Sequence, residues 1–227
     1  GSSILGMSLL LASCGSDNET SPRTQQTIPQ LSPAVGTSIK GSCDDLKSFS
    51  FEHTTITTAT LQDAGSLSVA NKPIRAHCLV TGHMYSRISP VDGQQYQIGF
   101  EMRLPLDWNG RFLYQGNGGT DGNIAQAVGN VGSGGPLTNA LYEGFAVISS
   151  DAGHSAQQNP TFGIDPQARI DYGDGAITKL TPMAKNLIKA TYGKTPDRSY
   201  AGGTSNGGRH AMIAATRLPN DYDGILA

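Results

Sequence analysis

The sequence predicts an α/β fold with a doubly wound, mostly parallel sheet, and three observations support this prediction. Apolar runs typical of buried strands alternate with helical patterns in the second half of the chain. The 29 glycines cluster in short loops between these runs. The 227 residues also suffice for one domain with a sizeable core.

The charge balance argues against one class of partner. The chain has 18 acidic and 16 basic side chains, a formal net charge of -2, and no basic run. Domains that bind nucleic acids concentrate Lys and Arg on one surface. We therefore expect no nucleic-acid partner.

The N-terminal segment resembles an export signal. Residues 1–13 are apolar, too short to span a bilayer, and end in small residues. They include neither an initial Met nor a basic region, so we expect a clipped signal peptide. Leu11 to Cys14 resembles the lipobox of bacterial lipoproteins. This predicts lipidation at Cys14 and a protein anchored to a bacterial membrane, facing the periplasm or the cell surface. The alternative is an ordinary signal peptide with a chance cysteine.

The next segment separates this signal from the folded part. Residues 14–40 are polar and rich in Pro, Ser and Thr, which predicts a flexible tether, and the folded part is expected over 41–227. That part contains Cys43 and Cys78. Because an exported protein meets an oxidising environment, we predict a disulfide between them. Two buried free thiols are the alternative.

Three strands are predicted next. Residues 46–62 and 76–85 are rich in β-branched and aromatic residues. Residues 95–105 alternate between polar and apolar, and Pro105 is expected to end the strand. The side chains expected on one face are those of Tyr96, Ile98, Phe100, Met102 and Leu104.

The remaining predicted elements are the strands of the parallel sheet and the helices that connect them. A turn at Asn109-Gly110 precedes a buried strand at Arg111–Gln115, and residues 144–154 contain a second continuous apolar run. A helix is predicted with Thr181 as N-cap, Pro182 at its first position and Gly193 at C′. The last elements are a strand at 199–202, a helix at 206–218 stopped by Pro219, and the start of a buried strand at 222–227.

Ser205 lies between the strand at 199–202 and the helix that follows, in the spacing Gly203-x-Ser205-x-Gly207. A nucleophile elbow is a sharp strand-to-helix turn with this spacing, in which glycine avoids clashes with neighbouring elements. The serine hydroxyl then projects from the sheet. Beside it, N–H groups at a helix N-terminus can stabilise an oxyanion. The alternative is a tight turn with a solvent-facing serine.

A second oxyanion donor is expected from the glycine loop after Arg111–Gln115. Gly116, Gly118 and Gly119 lie in this loop and allow the backbone to approach a substrate carbonyl. A backbone N–H near Gly119 and that of Asn206 would form the pair. The alternative is a hairpin or bulge loop without a catalytic task.

A catalytic serine needs a His and an acid, which follow it in the chain in this kind of site. His210 follows Ser205 but lies in the helix that leads away from the elbow, so we interpret it as a helix-surface or packing residue. We interpret Asp151 and His154 as residues that hold a loop, and a substrate-loop residue is the alternative for His154. The other histidines are interpreted as structural: His53, His77 and His83. The acid and the base are therefore expected beyond Ala227.

Residues 199–227 resemble the elbow region of the tannase and feruloyl esterase family of α/β-hydrolases, where the elbow reads Gly-Cys-Ser-x-Gly-Gly-Arg. Residues 112–122 resemble the oxyanion loop of that family, 147–154 its Thr-Asp-x-Gly-His segment, and 181–200 its pre-elbow helix. Cys43 and Cys78 also lie where the family has an N-terminal disulfide. The resemblance covers about residues 43–227 and implies an α/β-hydrolase fold, truncated before the lid domain and the acid and His of the triad.

The resemblance implies that Ser205 is the nucleophile and that the backbones of Asn206 and Gly119 are the oxyanion donors. Gly118 and Thr120 are candidate substrate contacts. The acid and the His would follow a lid domain, which binds calcium in several members and carries most substrate contacts. We expect no metal and no cofactor in the present segment.

One position departs from the family. Thr204 stands where the family has a Cys that is bonded to another Cys beside the catalytic His. Without that bridge, packing alone would hold the His loop.

The sequence favours an exported serine carboxylic ester hydrolase. It would act on small aromatic esters, hydroxycinnamate-like or gallate-like, through an acyl-enzyme. This chain alone is expected to be inactive, because it has neither the acid nor the base. One alternative is a non-catalytic exported lipoprotein or an inactive fragment of such an esterase. Another is an acyltransferase on the same fold.

Overall fold

The computed structural model describes residues 30–132 and 139–227. The chain divides into two units, Gly1–Ser32 and Pro33–Ala227, and the fold below is that of the second. The expected signal peptide over residues 1–13, the lipidation site Cys14 and residues 14–29 of the expected tether lie outside the described residues.

Strands make up most of the first half of the described chain, and helices enter in the second half. In chain order, the strands are β1 Thr37–Ser38, β2 Thr54–Gln62, β3 Ser68–Val69, β4 Lys72–Pro73, β5 His77–Ile88, β6 Gln95–Pro105, β7 Asp107–Trp108, β8 Arg111–Gln115, β9 Ala146–Ser150, β10 Arg198–Gly202 and β11 Gly224–Leu226. The α-helices are α1 Pro166–Ile170, α2 Ala176–Tyr192 and α3 Asn206–Arg217. The described residues also include short 3-10 helices at Asp44–Ser48, Ala156–Gln158 and Thr161–Ile164. A π-helical turn, Asp171–Gly175, joins α1 to α2.

Seven of the described strands form the central sheet, in the order β11-β10-β8-β9-β6-β5-β2. The pairs β11/β10, β10/β8 and β8/β9 are parallel. The pairs β9/β6, β6/β5 and β5/β2 are antiparallel. The predicted α/β fold is confirmed, and its sheet is mixed, because the first long strands of the chain pair with one another as antiparallel neighbours.

Helices α2 and α3 pack on the same face of this sheet. Leu187 of α2 and Ala214 of α3 share one buried cluster with Phe112 and Ile148 of the sheet. On the opposite face, loop residues such as Leu141 pack against Val147. In the described part of the chain, loops therefore take the place of the second helical layer that a doubly wound sheet would have.

Strand β6 confirms the predicted alternation. The five side chains expected on its common face are all buried: Tyr96, Ile98, Phe100, Met102 and Leu104. The strand ends at Pro105 as expected. Alternation at period two thus identified the buried face correctly.

Helix α2 begins earlier than the sequence predicted, at Ala176, and Pro182 lies inside it. Thr181 is not an N-cap: its hydroxyl donates to the Ile177 carbonyl oxygen within the helix, at 2.7 Å. The physical reason is packing, because Ile177 is fully buried in the core and its burial favours a longer helix despite the N–H that proline lacks. The predicted end is confirmed, with Gly193 in the left-handed conformation at φ 78°.

Two strand predictions need correction. The strand expected over residues 46–62 begins at Thr54, because Asp44–Ser48 forms a 3-10 helix. Ser42 and Asp45 cap it reciprocally, each side chain accepting from the backbone N–H of the other residue. The last strand, β11, was expected to be buried, but Leu226 is 54% exposed. It pairs with β10 and with no second strand among the described residues, so its side chains are less covered.

The C-terminal part of the expected tether belongs to the folded unit. β1 pairs with β7, and the backbone N–H groups of Ile39 and Lys40 donate to Leu106 and Thr191 carbonyls at 3.0 Å each. The Val35 N–H donates to Asp197 Oδ2 at 2.8 Å. The composition of this segment predicted flexibility, but its backbone groups have partners on the folded unit, so residues 33–40 belong to the folded unit.

The disulfide between Cys43 and Cys78 is confirmed. It ties the first 3-10 helix to β5 and closes a loop with a sequence separation of 35. On chain-entropy grounds, a bridge over a loop of this length stabilises the fold by about 4 kcal/mol. Within residues 30–132 and 139–227, no helix has the length and hydropathy that a membrane span requires.

Candidate active site

Ser205 lies on the predicted strand-to-helix turn, between β10 and α3. Its backbone is strained, with φ 57° and ψ -125°. A residue with a Cβ rarely adopts a positive φ, and such strain is concentrated at functional sites. The side chain is exposed, and its hydroxyl has no hydrogen-bond partner among the described residues. The turn thus presents a free hydroxyl at the N-terminus of α3.

Three glycines let the loop after β8 touch this turn. A Cβ added to Gly203 would lie 2.5 Å from the carbonyl carbon of Gly207 and 2.7 Å from the Gly116 carbonyl oxygen. A Cβ on Gly207 would overlap the same Gly116 oxygen. The spacing of glycines around Ser205 is therefore explained by a backbone-to-backbone contact with the loop.

The predicted oxyanion donors lie on the two sides of this contact. Among the described residues, the backbone N–H groups of Gly119 and Asn206 donate to no acceptor. Gly119 has φ 64°, and a Cβ on it would meet nothing within 4 Å, so the backbone there faces open space. Backbone N–H groups without acceptors can stabilise a developing oxyanion where they converge on it.

The predicted substrate contacts have different surroundings. Gly118 lines a cleft of about 430 Å³ between the glycine loop and Thr204. Thr120 is exposed, and its carbonyl oxygen accepts from His154 Nε2 at 2.8 Å. Gly118 is thus placed beside the elbow, whereas the backbone of Thr120 is used to hold the loop.

Thr204, the position that departs from the family, is exposed. Its hydroxyl donates to the Val131 carbonyl oxygen at 2.6 Å. This bond links the elbow to the segment before Gly132, across the cleft. The threonine therefore makes a local contact of its own at this position.

Of the two interpretations of His210 from the sequence, a helix-surface residue or a packing residue, the structure supports the second. Its side chain is buried, with Nε2 2.7 Å from Asp121 Oδ2. The residues around it include Asp121, Arg209 and Tyr172, which no local sequence motif indicated. The one available signal was an acidic residue inside a glycine-rich loop, next to a candidate oxyanion donor.

Asp151 and His154 hold a loop, as expected. Asp151 Oδ1 accepts from the backbone N–H groups of Gly99 and Gly153 at 2.9 Å each. Burial raises the pKa of Asp151 to about 7 despite these bonds. His154 stacks on Phe162, and burial lowers the pKa of the His154 imidazole.

The remaining histidines are structural where contacts define them. His77 is buried, with Nδ1 2.8 Å from the Arg75 carbonyl oxygen and Nε2 2.9 Å from Arg103 Nη1. His53 stacks on Tyr85. In the part of the chain that the structure describes, no three His, Cys, Asp or Glu side chains cluster as a metal site would require.

Comparisons with known proteins identify the family of the chain. The sequence model of the family described as tannase and feruloyl esterase matches residues 78–227, well over half of the chain. The chain is 38% identical over 182 residues to a mono(2-hydroxyethyl) terephthalate hydrolase of Piscinibacter sakaiensis, covering 77% of this chain and 30% of that protein. It is 35% identical over 127 residues to a probable feruloyl esterase B-2 of Aspergillus flavus, covering 56% of this chain and 23% of that protein.

A solved structure has a similar fold. The crystal structure of feruloyl esterase B from Aspergillus oryzae superposes with a TM-score of 0.67 and 26% identity. The match covers 82% of this chain and 36% of that one. The chain thus spans roughly a third or less of the length of these relatives.

Proposed function

The chain belongs to the tannase and feruloyl esterase family, and on this premise we propose that it is part of a serine carboxylic ester hydrolase. The observation that carries the proposal is the strained backbone of Ser205 at a strand-to-helix turn, with its hydroxyl free and exposed. Strain of this kind is retained where it aims a reactive group. The relatives named as hydrolases and esterases support the same reaction class.

In the proposed reaction, Ser205 Oγ attacks the carbonyl carbon of an ester, and its proton passes to a base. The oxyanion of the tetrahedral intermediate accepts hydrogen bonds from the backbones of Gly119 and Asn206. Collapse of the intermediate expels the alcohol, which takes up the proton, and leaves an acyl-enzyme. Water then hydrolyses this ester and regenerates the serine. The chemistry needs no cofactor.

The base in this proposal is a His outside the described residues. His210 and His154 are both buried, and the Nε2 atom of each is hydrogen-bonded, to Asp121 and to the Thr120 carbonyl oxygen respectively. Neither ring makes a hydrogen bond to Ser205. The resemblance to the family implies that the acid and the His follow a lid domain. The proposed substrates are small aromatic esters of the hydroxycinnamate or gallate type.

We also propose that the protein is exported. The disulfide between Cys43 and Cys78 supports this, because such bonds persist in oxidising compartments. Anchoring through a lipid on Cys14 remains a prediction from the sequence alone.

The test is Ser205→Ala in the full-length protein. We expect kcat for methyl hydroxycinnamate and methyl gallate esters to fall by at least about 10⁴-fold, with the melting temperature retained. A fluorophosphonate probe should label the wild type and not the variant. Ser66→Ala is the matched control, since Ser66 only bonds to Asp63 in a distant loop.

Three results would contradict the proposal. Turnover in Ser205→Ala close to that of the wild type would remove Ser205 as the nucleophile. A wild type that neither hydrolyses esters nor takes up the probe would favour the non-catalytic alternative. An alcohol acceptor that outcompetes water would favour an acyltransferase.

A further inference from the structure

Two buried polar side chains meet beneath the elbow without a part in the proposed chemistry. Asp121 comes from the glycine loop, two residues after Gly119, and is 8% exposed. His210 comes from α3, one turn after Asn206, and is 3% exposed. Polar groups this deeply buried cost stability unless they are well partnered, so their contacts call for an explanation.

One oxygen of Asp121 joins the loop to the helix. Asp121 Oδ2 lies 2.7 Å from His210 Nε2 and 2.6 Å from Asn206 Nδ2. A carboxylate oxygen can only accept, so both nitrogens donate to it, and this assigns the hydrogen of His210 to Nε2. Asp121 Oδ1 and His210 Nδ1 are buried and have no partner among the described residues.

The same contact fixes the side chain of Asn206. Its Nδ2 also donates to the Asn117 carbonyl oxygen at 3.2 Å. Its Oδ1 accepts from Arg209 Nε at 2.7 Å and from the Tyr172 hydroxyl at 3.2 Å. An amide side chain has two donors and two acceptor positions, and here all four are used.

Arg209 extends the network to the π-helical turn. It donates to the carbonyl oxygens of Tyr172 at 2.9 Å and Gly173 at 2.7 Å. The guanidinium also lies over the Tyr172 ring, with Cζ 4.5 Å from the ring centroid. Asn206 is therefore held between the loop on one side and this turn on the other.

The loop needs such a tie because its middle is open. At its start, Gly116 is packed against Gly207, but a Cβ on Gly118 or Gly119 would meet nothing within 4 Å. At its end, the Thr120 carbonyl and the Gly122 N–H bond to His154 and Asp151, which belong to the segment after β9 and not to the elbow. The side chain that connects the end of the loop to α3 is that of Asp121.

We propose that Asp121 and His210 are positioning residues that clamp the glycine loop to helix α3, so that the backbone N–H groups of Gly119 and Asn206 converge on one substrate oxygen. This inference rests on the proposed esterase function. Oxyanion donors act because they are held in place before the charge develops. Hydrogen bonds to a buried carboxylate are strong enough to hold the loop and the helix that carry these donors.

The expected signature is a loss of kcat with little change in KM. A misplacement of about 1 Å in a site of this kind can cost about 100-fold in rate. An interaction that matters mainly in the transition state changes kcat and leaves KM nearly constant. A purely structural role would lower the melting temperature and leave the rate constants of the folded fraction unchanged.

The experiment compares Asp121→Asn, His210→Leu and His210→Gln in the full-length protein. The readouts are kcat and KM for an aryl ester, the rate of fluorophosphonate labelling, and the melting temperature. Asp121→Asn replaces the charged acceptor of two hydrogen bonds by a weaker neutral one, and His210→Leu removes the donor of one of them. We expect both variants to lower kcat and the labelling rate by about 10- to 100-fold at nearly constant KM. His210→Gln keeps an N–H donor for Asp121 and should stay within about threefold of the wild type.

His77→Gln is the matched control, because His77 is equally buried but bonds to Arg75 and Arg103, away from the elbow. We expect it to lower the melting temperature only.

Unchanged kcat and labelling rate in both Asp121→Asn and His210→Leu would overturn the proposal. It would also be overturned if His210→Gln were as inactive as His210→Leu, because that result would indicate that His210 transfers a proton. If His210→Leu does not fold, Asp121→Asn and His210→Gln decide alone. A wild type that takes up no label would instead refute the esterase function.

Discussion

At the scale of single residues, Asp151 is a carboxyl group that holds a loop and whose pKa is raised. One of its oxygens is used by two backbone N–H groups, which favour the charged form. Burial opposes this more strongly and raises the pKa of Asp151 to about 7. The nearby charge of Asp121 acts in the same direction as burial.

A pH-dependent stability follows from this pKa. In the folded state Asp151 keeps its proton up to about pH 7, whereas in the unfolded chain it loses the proton near pH 4. The folded state therefore binds more protons between these values, and Asp151 lowers the free energy of unfolding as the pH rises from 4 to 7. We expect Asp151→Asn to stabilise the protein at pH 8 by at most about 4 kcal/mol, and to have little effect at pH 4.

Thermal unfolding of both proteins at pH 4 and pH 8 measures this difference. Asp107→Asn serves as the control, because the side chain of Asp107 is 79% exposed and should show no comparable pH dependence. A stabilisation by Asp151→Asn that is equal at both pH values would contradict the raised pKa.

At the scale of elements, the contact between the glycine loop and the elbow determines where the candidate catalytic groups lie. The contact is made by backbone atoms of Gly116, Gly203 and Gly207, with no room for a Cβ. The contact holds the start of helix α3 against the loop. The backbone N–H groups of Gly119, in the loop, and Asn206, in the helix, have no acceptor among the described residues. The strain at Ser205 is part of this close approach.

We expect Gly207→Ala to destabilise the protein by about 1–3 kcal/mol, because its Cβ would overlap the Gly116 carbonyl oxygen and force the two elements apart. Gly118→Ala is the matched control, since its Cβ would meet nothing within 4 Å, and we expect a change below about 0.5 kcal/mol. Chemical denaturation of the two variants gives both values. Equal stability in both would mean that the loop and the elbow can separate at no cost.

At the scale of the whole molecule, the folded unit begins before the point that composition indicated. Residues 33–40 are bound through β1, through the N–H groups of Ile39 and Lys40, and through Val35. The Val35 carbonyl also accepts from Lys194 Nζ at 2.8 Å. Polar, proline-containing segments are read as flexible because they bury little apolar surface, but in this protein their backbone groups have partners on the folded unit.

Two shortened forms of the full-length protein test this boundary. We expect a chain that begins at Pro33 to keep the melting temperature of the unshortened protein. A chain that begins at Gly41 loses these hydrogen bonds and should be less stable by about 2 kcal/mol, which lowers its melting temperature. Equal melting temperatures for the two forms would place residues 33–40 in the tether after all.

Local patterns in the chain were sufficient for the parts that depend on neighbours in sequence. The alternation in β6, the left-handed cap at Gly193 and the strand–turn–helix around Ser205 each follow from a few consecutive residues. Two cysteines in the folded part of a chain expected to be exported were also sufficient to predict the bridge between Cys43 and Cys78. Backbone geometry and simple chemistry act over short distances, so these features could be predicted.

Tertiary packing decided the rest. The start of α2 depends on how deeply Ile177 is buried, which overrides the local signal of Thr181 and Pro182. The partnership of Asp121 and His210 joins residues 89 apart in the chain, so no local pattern could predict it. This hydrogen bond forms because the sheet pairs β8 with β10, which brings the loop after β8 next to helix α3. That arrangement, and with it the clamp under the elbow, is a property of the folded chain as a whole.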